Sequence, residues 1–120
     1  MAFAAWYAII VGLLMLGQWG FFLATGQVPE LQSEPWRIAF HLAAEGMTAA
    51  GLVISGIGLL RNRAWARAAY LLTVGMLVYS AIASPGYFAQ QGAWAMVGMF
   101  ALLLLLAIAS ILTLLRARPE

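Results

Sequence analysis

Four long runs of apolar residues divide the chain, at about residues 3–25, 35–60, 66–83 and 93–115. Each is close to the ~20 residues that a helix needs to cross a hydrocarbon core about 30 Å thick. Three short connections separate them, GQVPELQSE, RNRAW and SPGYFAQQG. Connections this short force neighbouring helices to run antiparallel. The pattern therefore predicts an all-α fold, one domain over residues 1–120 built as an antiparallel four-helix transmembrane bundle. The ~10-residue alternation of a membrane β-barrel does not occur in the sequence. The first run has no basic segment ahead of it, is long for a signal-peptide core and is followed by no A-x-A pattern, so it is expected to stay as a helix.

Local signals refine the boundaries. Ser33-Glu34-Pro35 predicts a helix start, with a capping side chain followed by a Pro that needs no intrahelical N–H. Pro85-Gly86 predicts a turn that ends the third helix. Trp36, Tyr87, Phe88 and Trp94 gather at one expected membrane edge and Trp6, Tyr7 and Trp65 at the other, as interfacial aromatics do.

Composition identifies the solvent. The chain is 65% hydrophobic and 8% charged, with mean hydropathy +0.95. A soluble domain has about 45–50% apolar and about 25% charged residues. Too few polar groups are present to cover a water-facing surface, so lipid is the expected surroundings and partner. The net charge of +2 rests on six arginines and no lysine. They sit at predicted membrane edges, so no nucleic-acid partner is expected. Arg61, Arg63, Arg67, Arg116 and Arg118 fall on one side and Arg37 on the other. The positive-inside rule then predicts both termini inside, in a multi-pass protein of a bacterial inner (cytoplasmic) membrane. The absence of Cys excludes disulfides and thiolate chemistry.

One segment departs from the apolar pattern. Arg37, His41 and Glu45 are spaced four apart in the second run, and Thr48, Leu52 and Gly56 continue the stripe. The opposite face carries Ala39, Ala43, Met47, Ala50, Ile54 and Ile57. Residues four apart share a helix face, so the polar stripe is expected to face protein or a cavity. At 1.5 Å per residue from Pro35, His41 lies roughly 9 Å deep and Glu45 roughly 15 Å deep. A carboxylate near mid-membrane costs roughly 2.5–3.5 kcal/mol. Glu45 can avoid that cost by staying protonated, or by sharing a proton or hydrogen bond with His41. Both make the pair a candidate proton-handling or cation-binding site. The alternative is a protonated Glu45 bonded to a neighbouring helix as a purely structural group.

Other polar residues at this depth complete an expected outward-opening cavity. Gln18 beside Trp19, Tyr79 with Ser80, and Gln90 and Gln91 in the outer connection are expected to line it, with Gln18 and Tyr79 as ligand contacts and Arg37 as an entrance charge. Small-xxx-small pairs, Gly46 with Ala50 and Gly51 with Ser55, suggest close helix contacts, either within the bundle or in a homo-oligomer or with a membrane-protein partner. No catalytic residue and no metal site is assigned, because one chain offers only His41 and Glu45 as ligands and no nucleophile motif. No cofactor is expected. A haem or metal would need His41 from two subunits.

The stretches FHLAAEGMTAAGLVISGIGLL, GMLVYSAIASPGYFAQQGAW and MVGMF, within residues 40–100, resemble a family of small bacterial four-helix membrane proteins of unknown function. The resemblance implies that His41, Glu45 and the Ser84-Pro85-Gly86-Tyr87 segment belong to one shared core, and implies no activity. Ala44-Glu45 with Thr48 is also similar to the motif of small multidrug-resistance transporters, whose acid lies in the first helix where this chain has none. DoxX-like proteins are similar in size and topology only. The expected function is binding or transport of a small lipophilic or cationic molecule, with Glu45 titrating and His41 as its proton partner, and an enzyme is not expected. The alternatives are an accessory or scaffolding subunit of a membrane complex and an oligomeric haem or quinone redox protein.

Overall fold

The structure, a computed structural model, describes residues 2–116; Arg118 lies outside them. Four helices are long and apolar enough to cross a membrane. These are α1 (Ala2–Ala24), α3 (Pro35–Leu60), α4 (Ala66–Ala83) continued by α5 (Pro85–Gln90), and α6 (Trp94–Arg116). A single turn, α2 (Glu30–Ser33), interrupts the first connection. No strand occurs among the described residues. The 23 residues of α1 span about 34 Å at 1.5 Å each, which matches a hydrocarbon core of about 30 Å. Leu14, Trp36, Phe40, Met47 and Leu72 are each at least two-thirds exposed. Apolar exposure on this scale suits a lipid-facing surface and gives the chain the build of a multi-pass membrane protein.

Cross-helix contacts fix the topology. Gly12 packs on Ala49 while Gly56 packs on Ala5, so α1 and α3 are antiparallel. Glu45 meets Ser80 while Ser55 meets Thr73, so α3 and α4 are antiparallel. Arg67 Nη1 donates to the Leu114 carbonyl, while Phe88 stacks on Phe100, which orders α4, α5 and α6 the same way. The Tyr7 hydroxyl donates to the Leu103 carbonyl at 2.7 Å and joins α1 to α6. The result is a ring, α1–α3–α4–α6, closed on itself.

The core fills one half of this ring. Its fully buried large residues are Tyr70, Leu52, Leu77, Leu114 and Val74. The buried residues of α1 run only from Ala4 to Gly12, and those of α6 are Ala107, Ser110 and Leu114. All of these belong to the end that carries Arg61, Arg63, Arg67 and Arg116. In the other half α1 and α6 bury no residue, while α3 still buries Ile38 and Glu45. The bundle is tight at its arginine end and loose at the other.

α3 begins at Pro35 and α4 ends at Ala83 as expected, but two local features differ from the sequence expectation. Ser33 does not cap α3: its Oγ donates to the Pro29 carbonyl inside α2, and the N-cap is Glu34. Glu34 makes no side-chain cap either, because Arg37 holds its carboxylate at 2.7 Å. Pro85-Gly86 is not a turn. Ser84 keeps helical angles (φ −71°, ψ −36°), and the helix resumes at once as α5. Pro85 has no N–H for the Ala81 carbonyl, so the ladder loses a bond there without reversing the chain. The reversal falls at Gly92, whose φ of +73° suits a residue without Cβ.

Glycine makes the α1–α3 seam possible. A Cβ on Gly56 would lie 2.7 Å from both the Ala5 carbonyl oxygen and Ile9 Cγ1. Gly75 faces open space. Gly56→Ala is therefore expected to destabilise the bundle by about 1–3 kcal/mol through overpacking against backbone. Gly75→Ala should be neutral or stabilising by up to about 1 kcal/mol. Thermal unfolding in detergent compares the two; equal melting temperatures would refute the seam.

Candidate functional site

The stripe on α3 divides as its period requires. Glu45, Thr48, Leu52 and Gly56 are buried, and Ala39, Ala43, Met47, Ala50, Ile54 and Ile57 are all exposed. Thr48 satisfies its hydroxyl on its own helix, through the Ala44 carbonyl at 2.8 Å. Glu45 has no such local option, because a carboxylate only accepts. It is 9% exposed and takes its donor from across the helix interface: Ser80 Oγ donates to Glu45 Oε1 at 2.6 Å. A hydroxyl-to-carboxylate bond of this length belongs to the strong, charge-assisted class.

His41 lies one turn from Glu45 towards the loose end. Its Nε2 is 3.7 Å from the same Oε1, an ion-pair distance too long for a hydrogen bond, and its side chain is 45% exposed. The imidazole meets the Trp19 ring edge-on, with centroids 5.7 Å apart. Trp19 thereby brings α1 to the site. Between α1 and α3 lies a pocket of about 110 Å³, lined by Met15, Leu16, Trp19 and Leu23 on one side and by Leu42 and Glu45 on the other. Its walls are apolar except for the carboxylate. Glu45 Oε2 accepts no hydrogen bond from any described residue.

The structure assembles three of the six residues assigned to the site and leaves three outside. Glu45, His41 and Trp19 converge. Arg37 stands apart, 68% exposed and paired with Glu34. Gln18 is exposed on the outer side of α1, and Tyr79 is 75% exposed on α4. The physical reason is the 100° step of a helix. The inward face of α4 runs through Tyr70, Val74, Leu77 and Ala81. Ser80 and Ser84 border that face and Tyr79 does not. Trp19, not its neighbour Gln18, takes the inward position on α1 for the same reason. Ser80, expected beside Tyr79 among the polar groups at this depth, is the residue of the two that meets Glu45. Its signal was present, since Ser80 and Ser84 are spaced four apart at the depth of Glu45 and His41.

Removing the Ser80 hydroxyl leaves a buried carboxylate without its donor. Ser80→Ala is expected to destabilise the fold by about 1–3 kcal/mol. Tyr79→Phe, on the exposed side, should fall within about 0.5 kcal/mol of the parent. Chemical unfolding in mixed micelles measures both; equal effects would remove Ser80 from the site.

No curated protein and no solved structure matches the chain. The weaker similarities to small multidrug-resistance transporters and DoxX-like proteins therefore gain no support. The similarity to a small family of unknown function is upheld across the whole length. Matched from residue 1 to residue 120, the chain belongs to the family described as domain of unknown function DUF8058.

Proposed function

We propose that the protein binds a small lipophilic molecule with a cationic or hydrogen-bond-donating head, held at Glu45. The observation that carries this reading is a buried carboxylate, one oxygen of which has no protein donor, at the wall of an otherwise apolar pocket. A charge in such surroundings is stabilised by a counter-charge or by donors. Trp19 adds an aromatic face to the same pocket, and aromatic faces attract cations. His41, between the carboxylate and the loose end of the bundle, serves as the proton partner.

The pocket takes the head of a ligand and only its first carbons, so the tail stays in lipid beside the exposed Leu16 and Leu23. Arginines at the tight end support an orientation with both termini inside, in the cytoplasmic membrane of a bacterium. The Glu45 pocket then opens towards the outer face. Ligand and proton compete for one carboxylate, the coupling that a transporter of such a molecule needs.

A second reading, assembly with another membrane helix, draws on different residues. Gly17, Gly20 and Gly98 face open space, and glycine on an outer helix face lets a second backbone approach closely. This reading expects Gly20→Leu and Gly98→Leu to lower the oligomer fraction seen by cross-linking while leaving the folded monomer intact.

The pocket reading is tested with dodecylamine and dodecanol as probes, on the full chain in nanodiscs. Glu45→Gln is expected to weaken dodecylamine binding roughly 10- to 100-fold, the worth of one charge-assisted hydrogen bond of about 1.5–3 kcal/mol. Dodecanol binding should change far less. If the variant binds both probes as the parent does, the reading is wrong.

A further inference from the structure

Ser80 and Ser84 behave unlike every other serine and threonine hydroxyl among the described residues. A serine or threonine in a membrane helix ordinarily donates to a carbonyl of its own preceding turn. Thr48 donates to the Ala44 carbonyl, Thr73 to Ala69 and Ser110 to Ala107, and Thr25, Ser33, Ser55 and Thr113 do the same. Ser80 and Ser84 alone make no such bond. Ser80 Oγ reaches across to Glu45 Oε1 at 2.6 Å, and Ser84 Oγ stands 3.3 Å from Ser80 Oγ. The two hydroxyls continue one another along α4, from the buried carboxylate towards the loose end of the bundle.

The backbone ends this row at a break. Pro85 follows Ser84 and supplies no N–H to the ladder. Ser84 is only part-buried at that point, whereas Glu45 is buried. We propose that Ser84 and Ser80 form a relay that carries protons between the outer end of α4 and the Glu45 carboxylate. The inference rests on Glu45 as the titrating group of the proposed pocket.

The step balances within the row. Ser80 transfers its hydroxyl proton to Glu45 Oε1, and Ser80 Oγ takes the proton of Ser84. Ser84 Oγ takes one from a hydronium at the outer end. One proton enters, the carboxylate becomes a carboxylic acid, and both serines are neutral again. A hydroxyl both donates and accepts, which is what each position requires. The 3.3 Å gap is longer than a settled O–H···O bond of about 2.7–2.8 Å, so transfer waits on approach of the two rotors. Of the groups facing Glu45, only His41, on α3 itself, is titratable. The pocket residues of α1 are Met15, Leu16, Trp19 and Leu23, α4 presents Ser80, and the one charge in α6, Arg116, lies at the far end. His41 is thus the competing route, and the test separates the two.

The experiment is a rapid pH jump on the ligand-free full chain in detergent, followed by infrared absorption of the carboxyl group. The Glu45 band is assigned by its loss in Glu45→Gln. Ser84→Ala is expected to slow protonation of that band roughly tenfold or more, within the range that positioned proton transfer contributes. Ser84→Thr, which keeps the hydroxyl, should restore the parent rate, and the slowing in Ser84→Ala should exceed any in His41→Ala. A parent rate in Ser84→Ala overturns the relay and leaves the pocket reading standing, as does slowing in His41→Ala instead. Absence of any titrating band sensitive to Glu45→Gln overturns the relay and, with it, Glu45 as the titrating group.

Discussion

Inside hydrocarbon, a polar group without a partner in the chain is costly, and this constraint organises the molecule, the buried Tyr70 hydroxyl being an exception. It makes helices the only spanning element, since they satisfy their own backbone. It turns hydroxyls back onto their own carbonyls, as at Thr48, Thr73 and Ser110. Where the local option fails, it creates cross-helix bonds. The Tyr7 phenol has no carbonyl of its own turn within reach and crosses to the Leu103 carbonyl. Arg67 reaches the Leu114 carbonyl at the end of α6, where helix carbonyls lack intrahelical donors. Glu45 cannot donate as a carboxylate, so the donor must come to it, and Ser80 supplies it. Helix–helix contacts between α1, α3, α4 and α6 are thus partly consequences of polar bookkeeping.

Packing divides the work between two halves. At the arginine end, Gly12 and Gly56 bring α1 and α3 to backbone contact, and Tyr70, Val74, Leu77 and Leu114 fill the space between all four helices. Dispersion rather than water exclusion holds such a seam in lipid, so close approach is what stabilises it. At the other end, Leu13, Leu14 and Leu16 of α1 and Met99 and Leu102 of α6 face outwards. Glu45 sits at the boundary between the halves. In the proposed binding role, the rigid floor would fix the carboxylate while the loose mouth admits a molecule from lipid.

The fold was legible in the sequence and the site only half so. Four runs of sufficient length with short connections leave little choice of architecture, and the period of α3 separates its buried and exposed faces residue by residue. Glu45 and His41 follow from that period and from depth, and Trp19 from depth alone. Polarity and depth point to Gln18 and Tyr79 as well, but neither property fixes the direction of a side chain, and both are exposed. In a helix whose outer faces are as apolar as its core, the hydrophobic pattern does not reveal direction. α4 shows this: exposed Leu72 and Ile82 are as apolar as buried Val74 and Leu77. Direction emerges only once neighbours are in place. Pro85 misled for a related reason. Pro-Gly marks a turn in water, but a spanning helix continues through proline when surrounding helices hold it.

The energetics of Glu45 argue that packing alone does not account for it. A charged acid at the helix centre costs roughly 2.5–3.5 kcal/mol. A hydrogen bond to a charged group returns about 1.5–3 kcal/mol. The pair with Ser80 therefore comes out near zero, and His41 at 3.7 Å is too far to add a full hydrogen bond. A glutamine at the same position would accept from Ser80 through its carbonyl at a lower desolvation cost. As glue between α3 and α4, a carboxylate is thus the poorer choice. What it has that an amide lacks is a removable proton and a full negative charge. Ser80 and Ser84 make no bond to their own helix carbonyls, Ser80 donates to Glu45 Oε1, and Glu45 lines the pocket. The proposed ligand contact and proton relay are what would use that charge and that proton.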